Sequence, residues 1–172
     1  MVTASVPAMV VRLERTSGSG SITAAELEAA LPAAVRAASS ATSRPSCSGS
    51  SAAPASPQAL VINALGGRRF DEVAHRSVYL SAEACRWIIG LGVRLLISDV
   101  YESDGSPQGV FPSLFGAGLS CVCNAVNLAV LPASATSTSR VELSCVPLAT
   151  PGAVQCPVRV LAEVTEPPAA RL

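Results

Sequence analysis

The sequence has 172 residues and a formal net charge of zero, with 49% hydrophobic but only 3% aromatic residues. That length fits one domain with one core, and the balanced charge excludes electrostatic recruitment by nucleic acid or an anionic membrane surface. All twelve basic residues are arginine, and alanine is abundant, the mark of a GC-rich coding bias and not of a mechanism.

The opening residues, MVTASVPAMVVRLER, lack a basic segment followed by an unbroken apolar one, so no secretory signal is expected. "AMVVRL", residues 8–13, is β-branched and apolar and predicts a strand, with "SGSGS" after it as a flexible turn. Thr23 and Glu26 form a capping box, and Leu27, Ala30 and Leu31 then recur at helical spacing until Pro32. Residues 38–58 are too rich in Ser, Ala and Pro to bury a face and predict a low-complexity loop carrying Cys47.

"ALVIN", residues 59–63, predicts a short buried strand, and "GGRRF" turns the chain. Ser81 caps a helix with Glu83 in its first turn; Ala84, Trp87 and Ile88 share its inner face, and Gly90 or Gly92 ends it. "VRLLIS" is the next strand and ends at Asp99. Arg94 and Asp99 interrupt the most apolar stretch, so no membrane span is expected. A helical turn at "PSLFGAG" leads to a strand at "LSCVC". Two alternating strands follow, "RVELSCV" and "PVRVLAEV", and the tail "TEPPAARL" is expected to fray. The order predicts an α/β fold: a single compact domain with a mixed sheet and two or three helices.

Four stretches, "YLSAEACRWIIGLGVRLLISD", "LFGAGLSCVCNAVNLAVLP", "RVELSCVPL" and "PVRVLAEV", resemble in order and spacing the second half of the cyclase family of metal-dependent hydrolases, which includes kynurenine formamidase-like (arylformamidase) enzymes. The resemblance spans residues 11–164 loosely and 79–164 well. It implies a β/β/α swivelling-type domain over residues 1–172, usually dimeric or higher, and a cytoplasmic enzyme of tryptophan catabolism that hydrolyses N-formylkynurenine-type amides. The family's zinc or manganese is held by an N-terminal HxGTHxDxPxH motif and by a later His and Glu. Imidazole and carboxylate donors suit those ions, which depress the pKa of bound water to make hydroxide near neutrality.

Matched to that pattern, Phe111 stands at the later histidine and Cys123 at the glutamate; the His-rich motif is missing ahead of residues 8–13. No shift of register recovers a ligand pair, because residues 99–128 contain no histidine and no acid lies between Asp104 and Glu142. The expectation is a degenerate or truncated family member, a pseudoenzyme with no catalytic, cofactor or metal residues and no cofactor. It would act as a homo-oligomer or pair with an intact paralogue. The alternatives are an incomplete gene model of an active hydrolase and a non-catalytic small-molecule binding module.

Other residues carry chemistry of their own. Cys121 and Cys123, with Cys145 from a neighbouring strand, could bind a soft metal as thiolates, against buried inert cysteine. His75, the sole histidine, could serve a Cys/His pair with Cys123, against a surface imidazole. Asp99, Glu102 and Asp104 follow a strand end, where α/β proteins place sites, but acids also form turns there. Asn124 and Asn127 could bind a ligand or cap the junction, and "GSGS" lacks the Lys-Ser/Thr of a phosphate loop.

Overall fold

The computed structural model describes residues 5–13, 15, 19–33, 36, 57–69, 72, 77–134, 139–148 and 151–166. Its main sheet has six strands, ordered β6 (Ser120–Val122), β5 (Leu95–Ser98), β3 (Ala59–Asn63), β1 (Val6–Arg12), β7 (Arg140–Pro147) and β8 (Val158–Thr165). The first four run parallel; β7 joins antiparallel to β1, and β8 antiparallel to β7. The expected α/β class and mixed sheet are therefore present.

Parallel strands need crossovers. Each is made by a helical segment: α1 (Ala24–Ala29) between β1 and β3, α2 (Ala82–Gly90) between β3 and β5, and α3 (Val110–Gly116) between β5 and β6. A small parallel pair, β2 (Gly20–Ile22) with β4 (Val78–Leu80), lies in the same layer. Leu27, Ala84, Ile88, Leu114, Ile22 and Leu80 all join Met9, Val11, Leu60, Ile62 and Leu96 in one core on that side of the sheet. The opposite side buries Val10, Val61, Ile97, Val141 and Leu143 under Leu128 and Leu131. Because β3 is covered on both faces, "ALVIN" reads as a continuous apolar run and not as an alternation.

Local chemistry sets the ends. Thr23 accepts the Glu26 amide at 3.3 Å while Glu26 accepts the Thr23 amide at 2.9 Å, completing the capping box. Ser81 accepts the Ala84 amide at 3.0 Å and starts α2, and Gly92, at φ +71°, lets the chain reverse after it. Arg12 at the end of β1 donates to the carbonyls of Ala129 and Leu131, both at 2.8 Å, and so pins the 3-10 turn Leu128–Val130 over the second core.

Four expectations need correction. Gly20 and Ser21, read as part of a flexible turn, belong to β2, where the Gly20 amide donates to the Ser77 carbonyl at 2.6 Å. β6 stops at Val122, so Cys123 lies beyond the strand and is exposed instead of sharing a buried strand face with Cys121. Cys145 is not on a neighbouring strand: β5, β3 and β1 separate β7 from β6. At roughly 4.8 Å per strand that is about 19 Å, too far for a shared ion. Thr165, assigned to the fraying tail, pairs with Arg140. Cys47, His75 and residues 38–56 lie outside the described residues; Gln58, the last of the low-complexity stretch, is tied in through its amide to Pro7 and its carbonyl to Arg94.

Candidate functional site

The carboxyl ends of parallel strands leave amides and side chains pointing into a common crevice. Here the crevice is a cavity of about 380 Å³ where β3 and β5 end, roofed by residues 125–128. Its chemistry begins with Asn63, the last residue of β3, and Asp99, the residue after β5; both are buried and both line it.

Asp99 accepts the Ala64 amide at 2.9 and 3.0 Å on its two oxygens and the Leu65 amide at 2.8 Å. Burial pushes its carboxyl up from the ordinary range, and those amide bonds counter it only in part. Asn63 uses Oδ1 to accept the Gly66 amide at 3.1 Å, while its buried Nδ2 has no partner. Arg68 donates from Nη2 to the Arg15 carbonyl at 2.9 Å, and its buried Nε is likewise unpartnered. Asn63 and Arg68, each with one buried donor unpaired, are both among the residues that line the cavity, with the charged Arg69 and Glu72 and the apolar Ala125, Val126 and Leu128. A buried donor left unpaired costs about 1–3 kcal/mol, so an acceptor oxygen that reached either atom would be stabilised.

The residues named from the sequence separate in space and in role. Asp99 reaches the cavity, but Glu102 accepts the amides of Gln108 and Val110, at 2.8 Å for the latter, and so organises the start of α3. Asp104 is exposed in the intervening turn. Asn124 and Asn127 have φ of 53° and 61°, a left-handed geometry that asparagine tolerates better than most residues, which explains both on backbone grounds. Asn127 also lines the cavity.

Phe111 packs against the helix-side core, its ring stacked on Tyr101 at 5.4 Å and on Phe115 at 5.7 Å. The Tyr101 hydroxyl in turn lies within hydrogen-bond distance of the carbonyls of Leu96 and Val122 and donates to one of them at a time. Cys121 is half-buried against the same core; desolvation first, then the nearby Cys123 and Cys85 thiols, push it up to about 12. Desolvation raises Cys123 too, although the residue as a whole is exposed. Zinc or manganese held by imidazole and carboxylate needs nitrogen and oxygen donors at these two places, and Cys123 offers only sulfur. A phenyl ring supplies no donor. The residues at the two matched positions therefore do not fit a zinc or manganese ion, and among the described residues no three His, Cys, Asp or Glu side chains are grouped so as to hold one.

Asn63 and Arg68 were not singled out from the sequence. The available signal was a polar residue closing an apolar strand just before two glycines, with arginines directly after them.

No family model matches the sequence. No curated protein matches it either. Among solved structures, one described as a potential metal-dependent hydrolase with cyclase activity superposes with a TM-score of 0.61 at 16% identity, over 95% of this chain and 67% of that one. The likeness is one of fold. No helix among the described residues is long and apolar enough to cross a membrane.

Proposed function

We propose that this chain is a non-catalytic relative of the cyclase-like metal-dependent hydrolases, a cytoplasmic protein that retains their fold without their ion. What supports this reading is the sequence resemblance, which sets Phe111 and Cys123 at the family's later histidine and glutamate, together with the surroundings of those two side chains. Phe111 is committed to an aromatic stack, and burial pushes the Cys123 thiol up from its ordinary range. Hydroxide generation at neutral pH depends on a bound ion with an open coordination position, and a phenyl ring gives that ion no ligand. The test is hydrolysis of N-formylkynurenine by the purified chain with added zinc or manganese, alongside elemental analysis. The expected result is no turnover above buffer and no stoichiometric metal. Chelator-sensitive turnover overturns the reading.

A second reading, small-molecule binding without chemistry, is favoured by the unpaired donors of Asn63 and Arg68 at the cavity wall. A kynurenine-like ligand at a hundredfold over its Kd stabilises the fold by about 2.7 kcal/mol. Asn63→Asp keeps the side-chain size and replaces the unpaired donor by an acceptor, so it removes that stabilisation. A thermal shift equal in the wild type and in N63D counts against the cavity as the site.

A further inference from the structure

β8 forms one edge of the main sheet, paired with β7 on one side and, among the described residues, with nothing on the other. It matches β7 residue for residue from Val158 to Thr165 without a bulge. It is also apolar and open to solvent: Leu161 is 54% and Val164 43% exposed. Long, unbulged edges of this kind template pairing with another strand.

The hydrogen bond from the Leu148 amide to the Pro157 carbonyl, at 2.9 Å, fixes which backbone groups face outward. Groups alternate along an antiparallel ladder. Arg159, Leu161 and Glu163 therefore turn their N–H and C=O towards β7. Val158, Val160, Ala162 and Val164 turn theirs to the open edge, and none of the four is a proline. The edge offers an unbroken row of donors and acceptors.

We propose that β8 is self-complementary and pairs antiparallel with β8 of a second copy of this chain, about a two-fold axis through Leu161. In that register Val158 lies opposite Val164 of the copy and Val160 opposite Ala162, and these are the hydrogen-bonded pairs. Arg159 lies opposite Glu163 of the copy, twice by symmetry, and Leu161 opposite itself. These are the non-hydrogen-bonded pairs, where Cα atoms approach to about 4.5 Å and side chains interact most closely.

The charge pattern selects this register. Moving the axis to Val160 or Ala162 leaves both charges facing uncharged residues. Neither Arg159 nor Glu163 has an ion-pair partner within its own chain among the described residues, so both are available. A two-fold contact of one patch with itself closes at a dimer and does not propagate.

Sedimentation of the full chain between about 1 and 100 µM tests it. The wild type is expected to shift from one to two chain masses over that range. R159E sets like charges opposite each other and weakens association by about tenfold or more, and R159E/E163R restores it to within about threefold. A162P deletes an outward amide at a position where an edge strand accepts proline, so it abolishes the dimer and leaves the far-UV circular dichroism unchanged. A wild type that stays monomeric, species larger than a dimer, a dimer indifferent to both R159E and A162P, or a double variant no tighter than R159E each overturns the proposal.

Discussion

Asp99 Oδ2 accepts the amide of Leu65 at 2.8 Å, joining the end of β5 to the turn after β3 through a side chain where the strand ladder has run out. Asp99→Ala leaves the buried amides of Ala64 and Leu65 without an acceptor. It is expected to cost about 1–3 kcal/mol at pH 7, read from urea unfolding. A loss under 0.5 kcal/mol would show that water replaces the carboxylate freely.

The same carboxyl gives a pH dependence of definite sign. Burial raises Asp99 above its ordinary 3.8, so its contribution is fully present below that value and is lost as pH rises through the raised one. The stability difference between wild type and D99A is therefore larger at pH 3 than at pH 7. Glu26 runs the other way. Burial alone would raise it, but hydrogen bonds from Thr23 and Arg15 hold it below its ordinary 4.5, so its contribution is present above that value and lost as pH falls. Glu26→Gln should accordingly flatten the acid limb of the stability curve; an unchanged limb argues against the shift.

Tyr101 bridges β5 and β6, with its hydroxyl 3.0 Å from the Leu96 carbonyl and 2.9 Å from that of Val122. It carries one proton and so donates to one of them at a time. Tyr101→Phe is expected to lose about 1 kcal/mol while keeping the stack with Phe111. Amide exchange in residues 120–122 should accelerate more than in β1, the outcome that separates a local tie from a general loss of stability.

Thr23→Ala removes the acceptor for the Glu26 amide and should cost about 1 kcal/mol. Thr23→Ser keeps the oxygen and should recover most of it. Equal losses in the two variants would assign the effect to the threonine methyl.

Alkylation kinetics can rank the thiols. Cys85, held up at about 11 first by burial and then by Glu102, and Cys121, at about 12, are nearly all thiol at pH 8. Exposed Cys156 should react with iodoacetamide well ahead of both, by about a hundredfold or more. Their rates should still climb about tenfold per pH unit up to pH 10. A Cys121 that reacts as fast as Cys156 would contradict the burial that holds its thiol up.

The elements that govern themselves locally were legible in the sequence. Thr23 with Glu26, Ser81 with its following turn, and the apolar run of β3 each carry their own periodicity or cap. β2 and β4 were missed because three-residue strands have no period to detect, and Gly20 and Ser21 have turn composition. The site was the least legible part. Asn63 and Asp99 are distant in sequence and meet only because β3 and β5 are neighbours, and Arg68 matters through an unpaired Nε that composition cannot reveal. Cys145 was grouped with Cys121 and Cys123 by residue type, a grouping that strand order dissolves.

β1 sits inside the sheet with β3 on one flank and β7 on the other. During synthesis its two flanks are covered at very different times. The β3 side can close once residues 59–63 emerge, whereas Val6 must wait for Leu143. Through most of translation the nascent chain therefore exposes a bare strand flank, and the β7–β8 hairpin is the piece whose late arrival ends its vulnerability to aggregation.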